Sequence, residues 1–192
     1  MMSQLIRTFI AIEIPDPVRR QIDRLLRKIR PLAESVKWVS PKNVHITLKF
    51  FGEIPPMQIR RIKQKLESTI EESEPFQLHF KQIGAFPNFN RPRTLWTGIQ
   101  GNEKELIDLK QRLDGRLETI GFEKESKPFH PHLTLGRVRH GRNPLIDIDA
   151  LERQFFRSDN FTVKRVVLMK SELQKFGPIY TPQAVYILSD KI

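Results

Sequence analysis

Two histidines stand first among the residues of this chain that can do chemistry. His45 opens the string His45-Ile46-Thr47-Leu48, and His132 opens His132-Leu133-Thr134-Leu135, so His-x-Thr-Leu occurs twice. With 5 His in 192 residues, composition alone gives about 0.02 such matches per chain. One copy alone reads as a histidine satisfied within a sheet; a pair calls for an explanation. Imidazole titrates at about pH 6.5, so near neutrality one copy can be neutral while the other carries a proton. Breaking a phosphodiester takes a base for the attacking oxygen and an acid for the leaving oxygen on the far side of phosphorus. Two opposed histidines supply both without a metal. The neighbouring threonine hydroxyls can hydrogen-bond the non-bridging oxygens and hold phosphorus in line.

Strand parity decides which side chains share a face with the histidines. In the first motif His45, Thr47 and Lys49 fall on one face, and Ile46, Leu48 and Phe50 on the other. In the second, His130, His132 and Thr134 oppose Leu133 and Leu135. The apolar faces belong to a core, so both His–Thr faces turn away from it. Lys49 is therefore expected beside Thr47, either approaching a phosphate or solvated on the strand surface. Arg137 has the wrong parity, and reaches the face of His132 only if Gly136 allows a bulge or kink. Phe9 and Phe89 are candidates for stacking on a base; packing would serve Phe9 equally well. His79 and His140 read as solvated surface. A rival site would draw a metal between His45, His130 and His132. It leaves the threonines unexplained and finds no Asp or Glu in the motif strands, so neither a metal nor a cofactor is expected.

The elements that carry these residues follow from periodicity. Leu5–Ile14 alternates as a strand, with Thr8, Ile10, Ile12 and Ile14 opposite Arg7, Phe9, Ala11 and Glu13. Asp16 reads as an N-cap with Pro17 at the first helical position, and Val18, Ile22, Leu25, Leu26 and Ile29 stripe a helix over 17–30. Strands follow at Asn43–Gly52, Phe76–Phe86, Arg93–Ile99 and His130–Arg139. A second helix carries Ile59, Ile62, Leu66 and Ile70. A third spans 103–120, opened by a capping box of Asn102 with Glu105 and closed at Gly121. Pro87–Pro92 is a loop and Arg139–Pro144 a basic turn. A short helix is expected at Ile148–Phe156, and late strands at Phe161–Ser171 and Ala184–Leu188. Strand–helix–strand therefore recurs over about 5–52 and 93–139, with His-x-Thr-Leu in the third element each time. The expected architecture is α+β: one bilobal domain over 1–192, two pseudo-symmetric lobes each with a small antiparallel sheet and helices on its outer face, and a groove between them.

Composition bounds the function. Lys plus Arg number 33 against 22 acidic residues, a net charge of +11, which favours a polyanionic partner such as RNA. The absence of cysteine excludes disulfides, thiolate zinc sites and cysteine nucleophiles. No apolar run approaches the roughly 18 residues of a membrane-crossing helix, and the N-terminus lacks the features of a signal peptide. A cytoplasmic monomer is expected.

The paired motifs, with RTFIAIEIP, NVHITLKFFGEI, RPRTLWTGI and PFHPHLTLGRV around them, resemble the RNA 2′,3′-cyclic phosphodiesterase (2′-5′ RNA ligase) branch of the 2H phosphoesterases from about Arg7 to Tyr180. The resemblance implies hydrolysis of 2′,3′-cyclic phosphate ends to 2′-phosphates in a basic groove, with ligation of tRNA halves through a 2′-5′ bond in some relatives. It implies His45 and His132 as catalytic residues, His45 as the acid and His132 as the base. Thr47, Thr134 and Arg137 would bind the phosphate, and Ser171 and Tyr180 would lie near the groove. A non-catalytic RNA-binding module and a metal-dependent phosphodiesterase are the alternatives.

Overall fold

The structure, a computed structural model, describes residues 4–139, 145–175 and 177–189. His140 and most of the expected basic turn lie outside them. The chain runs through β1 (Ile6–Glu13), α1 (Asp16–Ile29), β2 (Val36–Trp38), β3 (His45–Ile54), α2 (Pro56–Glu71), β4 (Phe76–Phe86), β5 (Thr94–Gly101) and α3 (Glu103–Glu118). It then continues through β6 (His132–Val138), α4 (Ile148–Glu152), β7 (Phe161–Val163), β8 (Arg165–Gln174) and β9 (Gly177–Ile187). Among the described residues no helix is long and apolar enough to cross a membrane.

The helices form where apolar residues recur every three to four positions. α1 buries Val18, Ile22, Leu25, Leu26 and Ile29; α2 buries Ile59, Ile62, Leu66 and Ile70; α3 buries Leu106, Leu109, Leu113 and Leu117. Full burial of each such side chain favours folding by about 1.5–3 kcal/mol. The ends differ from expectation. The N-cap of α1 is Pro15, and Asp16 is already helical, paired with Arg19 at 3.1 Å. The capping box does not form at α3. Asn102 Nδ2 does donate to Glu105 Oε1 at 3.2 Å, but its Oδ1 accepts from the Gln77 amide of β4 at 3.0 Å rather than from the helix backbone. At Gly121 the backbone takes φ 92°, and the amide of Phe122 returns to the Leu117 carbonyl, closing α3.

Two antiparallel sheets result, with strand orders β3-β1-β8-β9 and β2-β6-β5-β4-β7. The runs β3-β1-β8 and β6-β5-β4 correspond strand for strand, which is the pseudo-symmetry of the two lobes. The correspondence includes an exchange. β4 follows α2 in the first half of the chain yet pairs with β5 in the second sheet; β8 lies in the second half yet pairs with β1 in the first. The expected strand Phe161–Ser171 is thus two strands in different sheets. The expected Ala184–Leu188 is only the end of β9, and β2 has no clear sequence signal. The main core joins Ile10, Ile12, Ile46 and Leu48 of the first sheet to Leu95, Leu133 and Leu135 of the second. A smaller cluster of Phe9, Ala11, Val167 and Met169, with Tyr180 against it, occupies the opposite face of β1 and β8.

Candidate active site

Both motif strands carry a bulge at the motif leucine. Along β1 and β3, Ala11 faces Thr47 and Ile10 faces Lys49, so Leu48 is the extra residue. Along β5 and β6, Trp96 faces Thr134 and Leu95 faces Gly136, so Leu135 is extra. An extra residue inverts the alternation of everything after it. Leu48 and Lys49 are both buried and Phe50 is exposed; Leu135 and Gly136 are both buried and Arg137 is exposed. Arg137 thereby joins the face of His132 and Thr134. The kink lies one residue before Gly136, but a glycine is still needed there. A Cβ would overlap Val36 Cγ1 and stand 3.0 Å from Trp38 Cε3 on the adjoining β2.

The same inversion overturns the expectation for Lys49. Its ammonium points into the interior, 5% of the residue remaining exposed, and donates to the Glu123 carbonyl at 2.6 Å. It lies 3.7 Å from the carboxylate of Asp114 on α3, which also binds Lys110. Lys49 therefore ties β3 to the other lobe from behind, and Phe50 takes its place on the groove side.

Each histidine is held in the same way. Nδ1 of His45 lies 2.7 Å from the Asn43 carbonyl, and Nδ1 of His132 lies 2.7 Å from the His130 carbonyl. A carbonyl only accepts, so Nδ1 carries the proton and Nε2 is left to exchange one. Phe9 and Tyr180 flank the His45 ring, centroids 4.8 and 5.2 Å away. Phe86 stands edge-on to His132 at 4.9 Å. Burial lowers both imidazoles below the ordinary histidine range, only partly opposed by the carbonyl bonds. Both are therefore shifted toward the neutral form near pH 7. Burial also raises the Tyr180 phenol, which stays protonated.

These side chains meet in one cavity of about 450 Å³ between the sheets. His45, Thr47, His132, Thr134 and Arg137 all line it. Ser171 and Tyr180 stand on its wall as the resemblance implied. Arg7 and Phe50, which parity did not bring forward, line it too, and among the described residues no carboxylate does. Phe9 borders the cavity but is 3% exposed between His45 and Tyr180, so it supports an imidazole rather than offering a face to a base. Phe89 packs on the main core and is not among the lining residues. His130 leans on Phe86 and Trp96, and among the described residues no group of three His, Asp or Glu is placed to hold a metal.

The family model of LigT like Phosphoesterase matches residues 12–96 and 99–180. An RNA 2′,3′-cyclic phosphodiesterase of Methanothermobacter thermautotrophicus is 35% identical over 185 residues, 95% of this chain and 99% of that protein. One of Archaeoglobus fulgidus is 34% identical over 183 residues, 94% of this chain and 99% of that protein. A crystal structure from Thermus thermophilus superposes with a TM-score of 0.80 at 26% identity, covering 95% of this chain and 98% of that one.

Proposed function

The chain belongs to the LigT-like phosphoesterase family, and from that membership we propose that it hydrolyses the 2′,3′-cyclic phosphate ends of RNA to 2′-phosphomonoesters with His45 and His132 as acid and base. One observation carries the reading: two His–Thr pairs, each imidazole held through Nδ1 by a carbonyl, line a single cavity that also holds arginine. Water attacks phosphorus as His132 Nε2 takes its proton; the P–O3′ bond breaks as His45 Nε2 protonates the leaving oxygen. Thr47, Thr134 and Arg137 bind the non-bridging oxygens, whose charge grows in the transition state. Run with a 5′-hydroxyl in place of water, the same displacement joins two RNA ends, tRNA halves among them, through a 2′-5′ bond. Residues 1–192 act as one bilobal domain, the units at about 5–52 and 93–139 giving one His–Thr pair each. All the named groups come from one chain, so a monomer suffices.

The test is adenosine 2′,3′-cyclic phosphate in excess EDTA. Conversion to 2′-AMP is expected, with kcat falling about 10²–10⁴-fold in His45→Ala and in His132→Ala. Loss of activity on chelation would favour a metal enzyme. Binding without turnover would favour an RNA-binding module.

A further inference from the structure

Beyond the cavity, one row of residues crosses the open face of the second sheet. His132 of β6 faces Gly98 of β5, Gly98 faces Lys81 of β4, and Lys81 faces Arg157 in the segment that runs along the far side of β4. Residues opposite one another on antiparallel strands share a face of the sheet. The row therefore starts at a motif histidine and leads away from it. At about 4.8 Å per strand, Lys81 stands about 10 Å from His132 and Arg157 about 14 Å. Gly98 has no side chain to interrupt the way. A bulge again sets the face: Gln82, at φ 64°, is the extra residue of β4, so Lys81 shares a face with Phe86 despite their unlike parity.

Neither cation is neutralised. Arg157 is exposed and Lys81 half-buried, and among the described residues neither enters an ion pair. Both act by charge on His79 of the same face, which burial first and these cations after it hold below the ordinary histidine range, Glu103 being the opposing charge. The first sheet blocks the equivalent route. There the residue facing His45 is Glu13, where the second sheet has Gly98, and Glu13 binds Arg165 of β8 at 2.8 Å. A carboxylate stands beside the histidine and neutralises the one arginine near it. The two lobes are thus unlike in charge just outside the cavity, and the second sheet is the side along which a polyanion can approach.

A 2′,3′-cyclic phosphate closes the 3′ end of an RNA, so the rest of the chain leaves the cavity from the terminal ribose with a charge at every linkage. We propose that Lys81 and Arg157 form a phosphate track on the second sheet that holds the RNA chain leading to the cyclic end. The assignment rests on the phosphodiesterase reading above and adds to it a site for the RNA beyond the terminal nucleotide. Contacts of this kind bind backbone and carry no sequence information, so the track favours length over base identity.

The test compares kcat/KM for adenosine 2′,3′-cyclic phosphate with that for a short oligoadenylate ending in the same group. The natural protein should prefer the oligonucleotide by about tenfold at low salt. With two phosphates contacted, raising the salt from about 50 to 200 mM should cut that preference about sevenfold. Lys81→Glu combined with Arg157→Glu should bring the preference toward unity and leave turnover of the mononucleotide unchanged, whereas Lys81→Arg combined with Arg157→Lys should retain it. Equal use of the two substrates by the natural protein, a preference indifferent to salt, one that survives in the double Glu variant, or an equal loss on both substrates overturns the track and leaves the phosphodiesterase reading standing. Turnover of neither substrate by the natural protein overturns both.

Discussion

At the scale of single residues, the two catalytic candidates are set by what surrounds them more than by their own chemistry. Burial favours the neutral form of His45 and of His132, and each has only a carbonyl in compensation. The proposed mechanism needs one imidazole charged and one neutral. With both groups titrating below their ordinary value of about 6.5, kcat/KM should peak on the acid side of that pH and fall above it. A bound phosphate favours the protonated form of the acid, so the kcat profile should lie at higher pH than the kcat/KM profile. Measuring both from pH 4.5 to 9 checks this, and a kcat/KM still rising from pH 6.5 to 8 would contradict it. The meeting of His45, Thr47, His132 and Thr134 at one cavity was legible in the sequence, because the repeated motif puts each pair on the face turned from the core. Lys49 and Phe50 were not. A bulge exchanges their faces, and Leu48 looks like any other strand leucine.

At the scale of elements, long periodic segments were readable and short ones were not. β4 and the buried stripes of α1, α2 and α3 lie where periodicity placed them. β2, at three residues, is too short to alternate, and β9 is interrupted by Pro178 and Pro182. The bulge in β6 was half legible through Gly136; its counterpart in β3 has a lysine at that place and no such signal. Gly136 also lets β2 close over the end of β6, with Trp38 opposite Gly136 and Lys37 opposite Arg137. Gly136→Val drives its side chain into Val36 and Trp38. A loss of about 1–3 kcal/mol is expected, together with weaker phosphate binding as Arg137 shifts. Denaturant unfolding and KM read the two effects, and a variant with unchanged stability would show that β2 yields freely.

At the scale of the molecule, the duplicated pattern predicted two lobes but not how they are joined. Sequence order made each half of the chain look self-sufficient, whereas hydrogen bonding assigns β4 to the second sheet and β8 to the first. Nothing local in Phe76–Phe86 or Arg165–Gln174 records which sheet will receive it, since either would bury the same alternating face. The exchange has a consequence for how the protein can be taken apart. A cut in the loop between β4 and β5 leaves one fragment with β1 and β3 but no β8, and another with β5 and β6 but no β4. Each fragment holds the strand that its counterpart lacks. Separately, neither should unfold cooperatively or turn over substrate; mixed, they should assemble and recover activity with a rate that rises with concentration. Cooperative melting by either fragment alone would show that a lobe is an independent folding unit. If they must assemble, a cavity set between two lobes is also the product of a chain that folds only as a whole.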